Sequence, residues 1–101
     1  MAKLKIVADE TFNAPVPVPV AGKGVTLVDF TFKHREKDAL AKWAKLKQDD
    51  LDAILDIACG WENDESFDRA NVGKFLQSYP GAARAITTVY FEESSGARAK
   101  N

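Results

Sequence analysis

Three prolines at alternate positions, Pro15, Pro17 and Pro19, interleaved with Val16, Val18 and Val20, restrict what this chain can fold into more than any other stretch. Each proline ring fixes φ and removes the backbone donor. In an extended backbone the valines fall on one face and the prolines on the other. Three missing donors have no place inside a sheet, so the run belongs on a sheet edge or in an isolated polyproline-like arm. Ala21-Gly22-Lys23-Gly24 follows as a turn signal. Residues 25–33 then alternate, with Val28, Phe30 and Phe32 on one face and Asp29, Thr31 and Lys33 on the other. The pattern predicts a β-hairpin with 25–33 as the stronger strand. Residues 3–8, Lys-Leu-Lys-Ile-Val-Ala, alternate well enough for one more short strand.

Past residue 35 the apolar period changes to that of a helix. Ala39, Leu40, Trp43 and Ala44 recur at helical spacing within 36–47, with lysines on the remaining face. Asp49 can cap the next helix, with Asp52 as its partner three residues on. Leu51, Ile54, Leu55 and Ala58 form that helix's stripe, and Gly60 suits the left-handed position that would end it. Residues 61–67 read as a polar loop held by two aromatics, Trp61 and Phe67. Asp68 can cap a third helix, Phe67 and Val72 have the spacing of a hydrophobic staple, and Val72, Phe75, Leu76 and Tyr79 are its buried stripe. Pro80 ends that helix and starts a fourth, lined by Ala82, Ile86, Val89 and Tyr90. Ser94-Ser95-Gly96 is expected to fray it and the last five residues to be loose. The reading is one α+β domain over 1–101, a β-hairpin followed by four helices.

The chain has 101 residues, enough for a modest core without staples, and a net charge of −1, which disfavours a generic nucleic-acid binder. The distribution is uneven. Residues 1–47 carry nine basic and five acidic side chains, and residues 48–101 carry five and ten. The extremes adjoin: 33–47 has six basic against two acidic, and 49–68 has eight acidic and none basic. Either the two runs pack together and neutralise each other, or one of them steers a charged partner. One rival reading is a regulatory or adaptor domain that binds nucleic acid through 33–47, or another protein. Trp43, however, falls on the apolar face, so those lysines lack interleaved exposed aromatics. A second rival is a small enzyme subunit, which would have Cys59 exposed and reactive to a thiol reagent.

No catalytic constellation stands out. His34 is the one histidine and Cys59 the one cysteine, and nothing in their spacing joins them to an orienting group. Cys59 follows a core stripe and is expected to be a small buried hydrophobe that labels slowly. Two such residues are too few for structural zinc. The acidic loop 62–68 lacks the glycine and ligand spacing of a calcium loop, and 21–24 does not open a helix as a phosphate loop would. No catalytic, cofactor or metal residue is therefore expected. A single cysteine suits a reducing compartment, and no apolar stretch is long enough to span a bilayer or act as a signal sequence. A small patterned domain without chemistry works by binding. The residues expected to contribute are Val16, Val18 and Val20 on the proline-marked edge, and Trp61, Phe67 and Tyr79, because Trp and Tyr concentrate at binding hot spots.

Several landmarks occur in a recognisable order: Phe30-Thr31-Phe32-Lys33-His34-Arg35, Gly60-Trp61 after an amphipathic helix, Tyr79-Pro80-Gly81-Ala82, and Ala97-Arg98-Ala99-Lys100-Asn101. Together the run 25–101 resembles the small tail assembly chaperones of long-tailed phages and prophages. The resemblance implies a non-enzymatic protein without cofactor. It would act in the cytoplasm of the bacterial host and be absent from the mature virion. Its partners would be the tape measure protein and the tail tube protein, with self-association as a further expectation and neither membrane nor nucleic acid as a partner. The client would meet a shallow apolar groove between helices, or add a strand to the proline-marked edge 15–20. The resemblance also implies two products, the longer made by ribosomal frameshift. Ala99-Lys100-Asn101 can be encoded GCA-AAA-AAC, a run of A's on which ribosomes slip.

Overall fold

The computed structural model describes residues 4–96. Its elements run β1 (Thr11–Val20), β2 (Gly24–Lys33), α1 (Lys37–Lys45), α2 (Asp50–Ile57), β3 (Ala58–Trp61), α3 (Arg69–Ser78) and α4 (Ala82–Ser95), an α+β fold. β1 and β2 form the expected hairpin, longer on the β1 side than 15–20, in unbroken antiparallel register from Thr11↔Lys33 to Val20↔Gly24. Gly22 and Gly24 turn the chain with φ of 77° and 82°, a region closed to most side chains.

The prolines settle on the edge, and the ladder shows which way they point. The His34 amide donates to the Glu10 carbonyl (2.8 Å), one pair beyond Thr11↔Lys33. Adjacent residues of a strand turn their hydrogen-bonding groups to opposite sides. Glu10 and every second residue after it thus face β2, while Pro15, Pro17 and Pro19 face the open side, where a missing donor costs nothing. The valines' side chains go inward, and Val16 and Val18 are buried beside Ala14, Phe30 and Phe32.

Three expectations fail here for physical reasons. α2 ends at Ile57, not at Gly60, because a third strand takes the next four residues. β3 pairs with β2 (Phe30↔Trp61, Thr31↔Gly60, Phe32↔Ala58) with an irregularity between Thr31 and Phe32. Gly60 is not left-handed; it pairs with Thr31 in the ladder, where a Cβ would make only ordinary contact at 3.6 Å. The strand expected over 3–8 does not form in its described part, and Leu4, Ile6 and Val7 are exposed. β2 already has a neighbour on each side, and much of the outer edge of β1 lacks donors. At the other end α4 does not fray into Ser94-Ser95: Gly96 takes φ 72° and its amide donates to the Glu92 carbonyl (2.9 Å). The looseness expected of 97–101 lies outside the described residues.

The helix starts follow the sequence. Asp49 accepts from the Asp52 amide (2.9 Å) and Asp68 from the Asn71 amide (2.8 Å), each satisfying one orphan donor. Asp52 does not reach back to complete a box; its carboxylate meets Arg69 (2.7 Å). Helix α1 is shorter than 36–47, since Leu46 is already extended. Of its stripe, Leu40 and Trp43 face the core, while Ala39 and Ala44 are exposed.

The helices cover one face of the sheet, and the buried side chains form one cluster that includes Phe30, Phe32, Ile54, Ile57, Val72, Ile86 and Tyr90. Tyr90 is its hub. Its ring stacks on Phe12 (centroids 6.0 Å), tilts on Phe32 (5.4 Å) and meets Trp43 edge-on (5.0 Å). Arg35 joins the basic run to the acidic one: it donates to the Tyr90 hydroxyl (3.2 Å) and pairs with the Asp56 carboxylate (2.8 Å). Burial works against the Arg35 charge, but Tyr90 and Asp56 outweigh it and raise its pKa.

Candidate protein-binding site

Of the aromatic residues expected to bind a partner, Trp61 and Phe67 meet directly, and Tyr79 joins them only through Phe75. Trp61 crosses Phe30 (5.9 Å), Phe67 (5.3 Å) and Phe75 (5.1 Å) near right angles, and Phe75 continues to Tyr79 (5.2 Å). The Trp61 indole donates to the Glu65 carbonyl (2.8 Å), pinning the loop that follows β3. Trp61, Phe67 and Tyr79 are half-buried, so this ladder closes the β3 end of the core and shows only its edges. Val16 and Val18 present no surface, a correction to the row expected at the edge; the face of β1 that meets solvent carries the prolines. Val20, beside the turn, is half-buried.

That open sheet face is apolar near the hairpin tip. Pro17 lies opposite Leu27 and Pro19 opposite Val25, with Leu27 67% and Val25 61% exposed. Strand addition at this edge is not available, because Pro15, Pro17 and Pro19 leave it three carbonyls and no donors along that stretch. The expectation that a client augments 15–20 as a strand is thereby corrected.

A second apolar surface lies between helices, where a groove was expected, but its residues were not singled out in the sequence. The end of α1, the start of α2 and the outer side of α4 enclose an open groove of about 590 Å³. Trp43, Leu46, Ala53 and Phe91 give it an apolar floor, and Asp50 and Glu92 stand among the residues that line it. Leu46 is 58% and Phe91 39% exposed. Trp43 is fixed from behind by Tyr90, so the groove has one rigid aromatic wall. Thr87 uses its hydroxyl on the Ala83 carbonyl (3.1 Å) and contributes little polarity. The groove arises because α1 and α2 both pack on α4, and the break at residues 46–49 keeps them apart. Sequence periodicity assigns faces to helices but not the gaps between them.

Cys59 is exposed on β3, not buried in a helix stripe as expected. Among the described residues no group of three His, Cys, Asp or Glu is placed to hold a metal ion, and no helix is long and apolar enough to cross a membrane.

A small α+β domain that leaves an apolar groove and an apolar sheet face open to solvent fits the class of protein-binding modules. A family model described as phage tail assembly chaperone matches residues 1–101, and the chain belongs to that family. Neither the comparison with curated proteins nor that with solved structures gives a match.

Proposed function

We propose that this chain acts without catalysis, by holding the tape measure protein soluble until tail tube subunits enclose it. The family match over the whole chain carries the reading. The structure supports it with two exposed apolar surfaces on a domain whose core is otherwise closed. A tape measure protein is long, helical and apolar along one face, so it aggregates before the tube surrounds it. A chaperone for it needs shallow apolar contact and reversible binding, since the tube protein must displace it. Modest interfaces repeated along one client meet both needs. Trp61, Phe67 and Tyr79 would add contacts through their exposed edges and Val20 through the hairpin tip, while Val16 and Val18 serve by holding the hairpin. The setting would be the bacterial host cytoplasm, with the chaperone left out of the finished virion.

The gene tests this reading. A very long helical open reading frame should lie just downstream. A slippery A-rich run at codons 99–101, followed by an overlapping frame, should give a second, longer product. Neighbours unrelated to tails would sink the proposal; non-slippery codons would remove only the second product.

A further inference from the structure

The groove between α1, α2 and α4 has a sign as well as an apolar floor. Its charged lining residues, Asp50 and Glu92, are both acidic. Lysines are plentiful in α1 but stand elsewhere. At 100° per residue, Lys42 and Lys45 fall about 150° from the direction midway between Trp43 and Ala44, the α1 residues that line the groove. Lys42 instead borders a surface with Glu36, Lys37 and Asp38. The groove is thus a trough with an apolar floor, the neutral polar residues Gln48, Thr87 and Thr88, and acidic but no basic side chains in its lining, between helices that can flank a third.

We infer that this groove takes an amphipathic helix of the client whose apolar stripe is flanked by lysine or arginine. The inference rests on the chaperone reading for the client's identity, and on the groove alone for its chemistry. Apolar anchors inserted beside Trp43, Leu46 and Phe91 supply affinity. The basic flank meets Asp50 and Glu92, which sets selectivity and speeds encounter. A second copy of the chain does not fit as the occupant. Its own basic helix is α1, and the apolar stripe of α1, Leu40 and Trp43, already packs on the core.

Two fluorescein-labelled peptides of about eighteen residues, five helical turns, test this. They share one Leu/Ile stripe; one carries lysines along its flanks and the other glutamates. Titrated with the full chain, the lysine peptide should bind about tenfold more tightly by anisotropy, a difference of about 1.4 kcal/mol. It should also shift the Trp emission. Asp50→Lys with Glu92→Lys should reverse the preference. Leu46→Ser, a change at an exposed position that spares the core, should weaken both peptides. Equal binding of the two peptides, or indifference to these substitutions in variants with native circular dichroism, overturns the inference. So does a dimer that Leu46→Ser converts to monomer, since a second copy would then fill the groove. If the tape measure protein is solubilised equally by the parent and by Leu46→Ser, the chaperone reading stands and the groove assignment falls.

Discussion

The Tyr90 hydroxyl donates to the Lys33 carbonyl across 2.9 Å, joining the middle of α4 to the last residue of β2. The same hydroxyl accepts from Arg35 (3.2 Å), whose guanidinium also holds Asp56 at the end of α2. One oxygen therefore couples sheet, linker and two helices.

Tyr90→Phe keeps the ring contacts to Phe12, Phe32 and Trp43 and removes that oxygen. It leaves the Lys33 carbonyl without its donor and Arg35 without one acceptor. The expected cost is about 1–3 kcal/mol. For a chain of this size that lowers Tm by about 4–8 °C per kcal/mol. A thermal melt followed by circular dichroism reads it; an unchanged Tm means the hydroxyl is no more than a passenger.

The proline row predicts a second behaviour. Pro15→Thr with Pro17→Thr restores two outward donors on an exposed strand without adding apolar surface. The variant should stay folded but self-associate with concentration, because an unpaired strand edge templates another. Light scattering after size exclusion distinguishes the cases. The same oligomeric state as the parent at every concentration would show that these prolines do not guard the edge.

Gly81 explains why a Tyr-Pro-Gly-Ala turn sits at this place. The Ala82 amide closes on the Tyr79 carbonyl (2.9 Å), and a Cβ on Gly81 would lie 3.0 Å from the Pro19 ring. The start of α4 therefore lies directly on β1. Gly81→Val should cost about 1–3 kcal/mol through overpacking. The urea midpoint measures it, and a midpoint within error of the parent would mean the ring moves aside freely.

Much of this architecture was legible beforehand. The alternation over 25–33 marks β2, Asp49 and Asp68 announce two helices, and the Pro-Val run defines an edge because proline's missing donor leaves few alternatives. What was not legible depends on long-range pairing. Ala58-Cys59-Gly60-Trp61 has no strand pattern of its own, and it becomes β3 because β2 offers an open edge beside it. Leu4 and Ile6 alternate correctly and form no strand, since no complete edge remains for them. The groove lies between elements that are separate in sequence, so neither its floor nor its acidic lining follows from any single helix.

The misplaced cysteine gives a direct check on β3. With Cys59 exposed, a thiol reagent should label the native chain fully and quickly without denaturant, at a rate near that of the unfolded chain. Labelling that waits for unfolding would return Cys59 to the core and dissolve the third strand with it.

The central claim is met most directly by producing this chain together with the tape measure protein of its own tail gene cluster and measuring how much of that protein stays soluble. The account predicts a soluble complex that co-purifies, and insoluble tape measure protein when this chain is left out. Tape measure protein that is equally soluble alone, or equally aggregated in the presence of this chain, would contradict it.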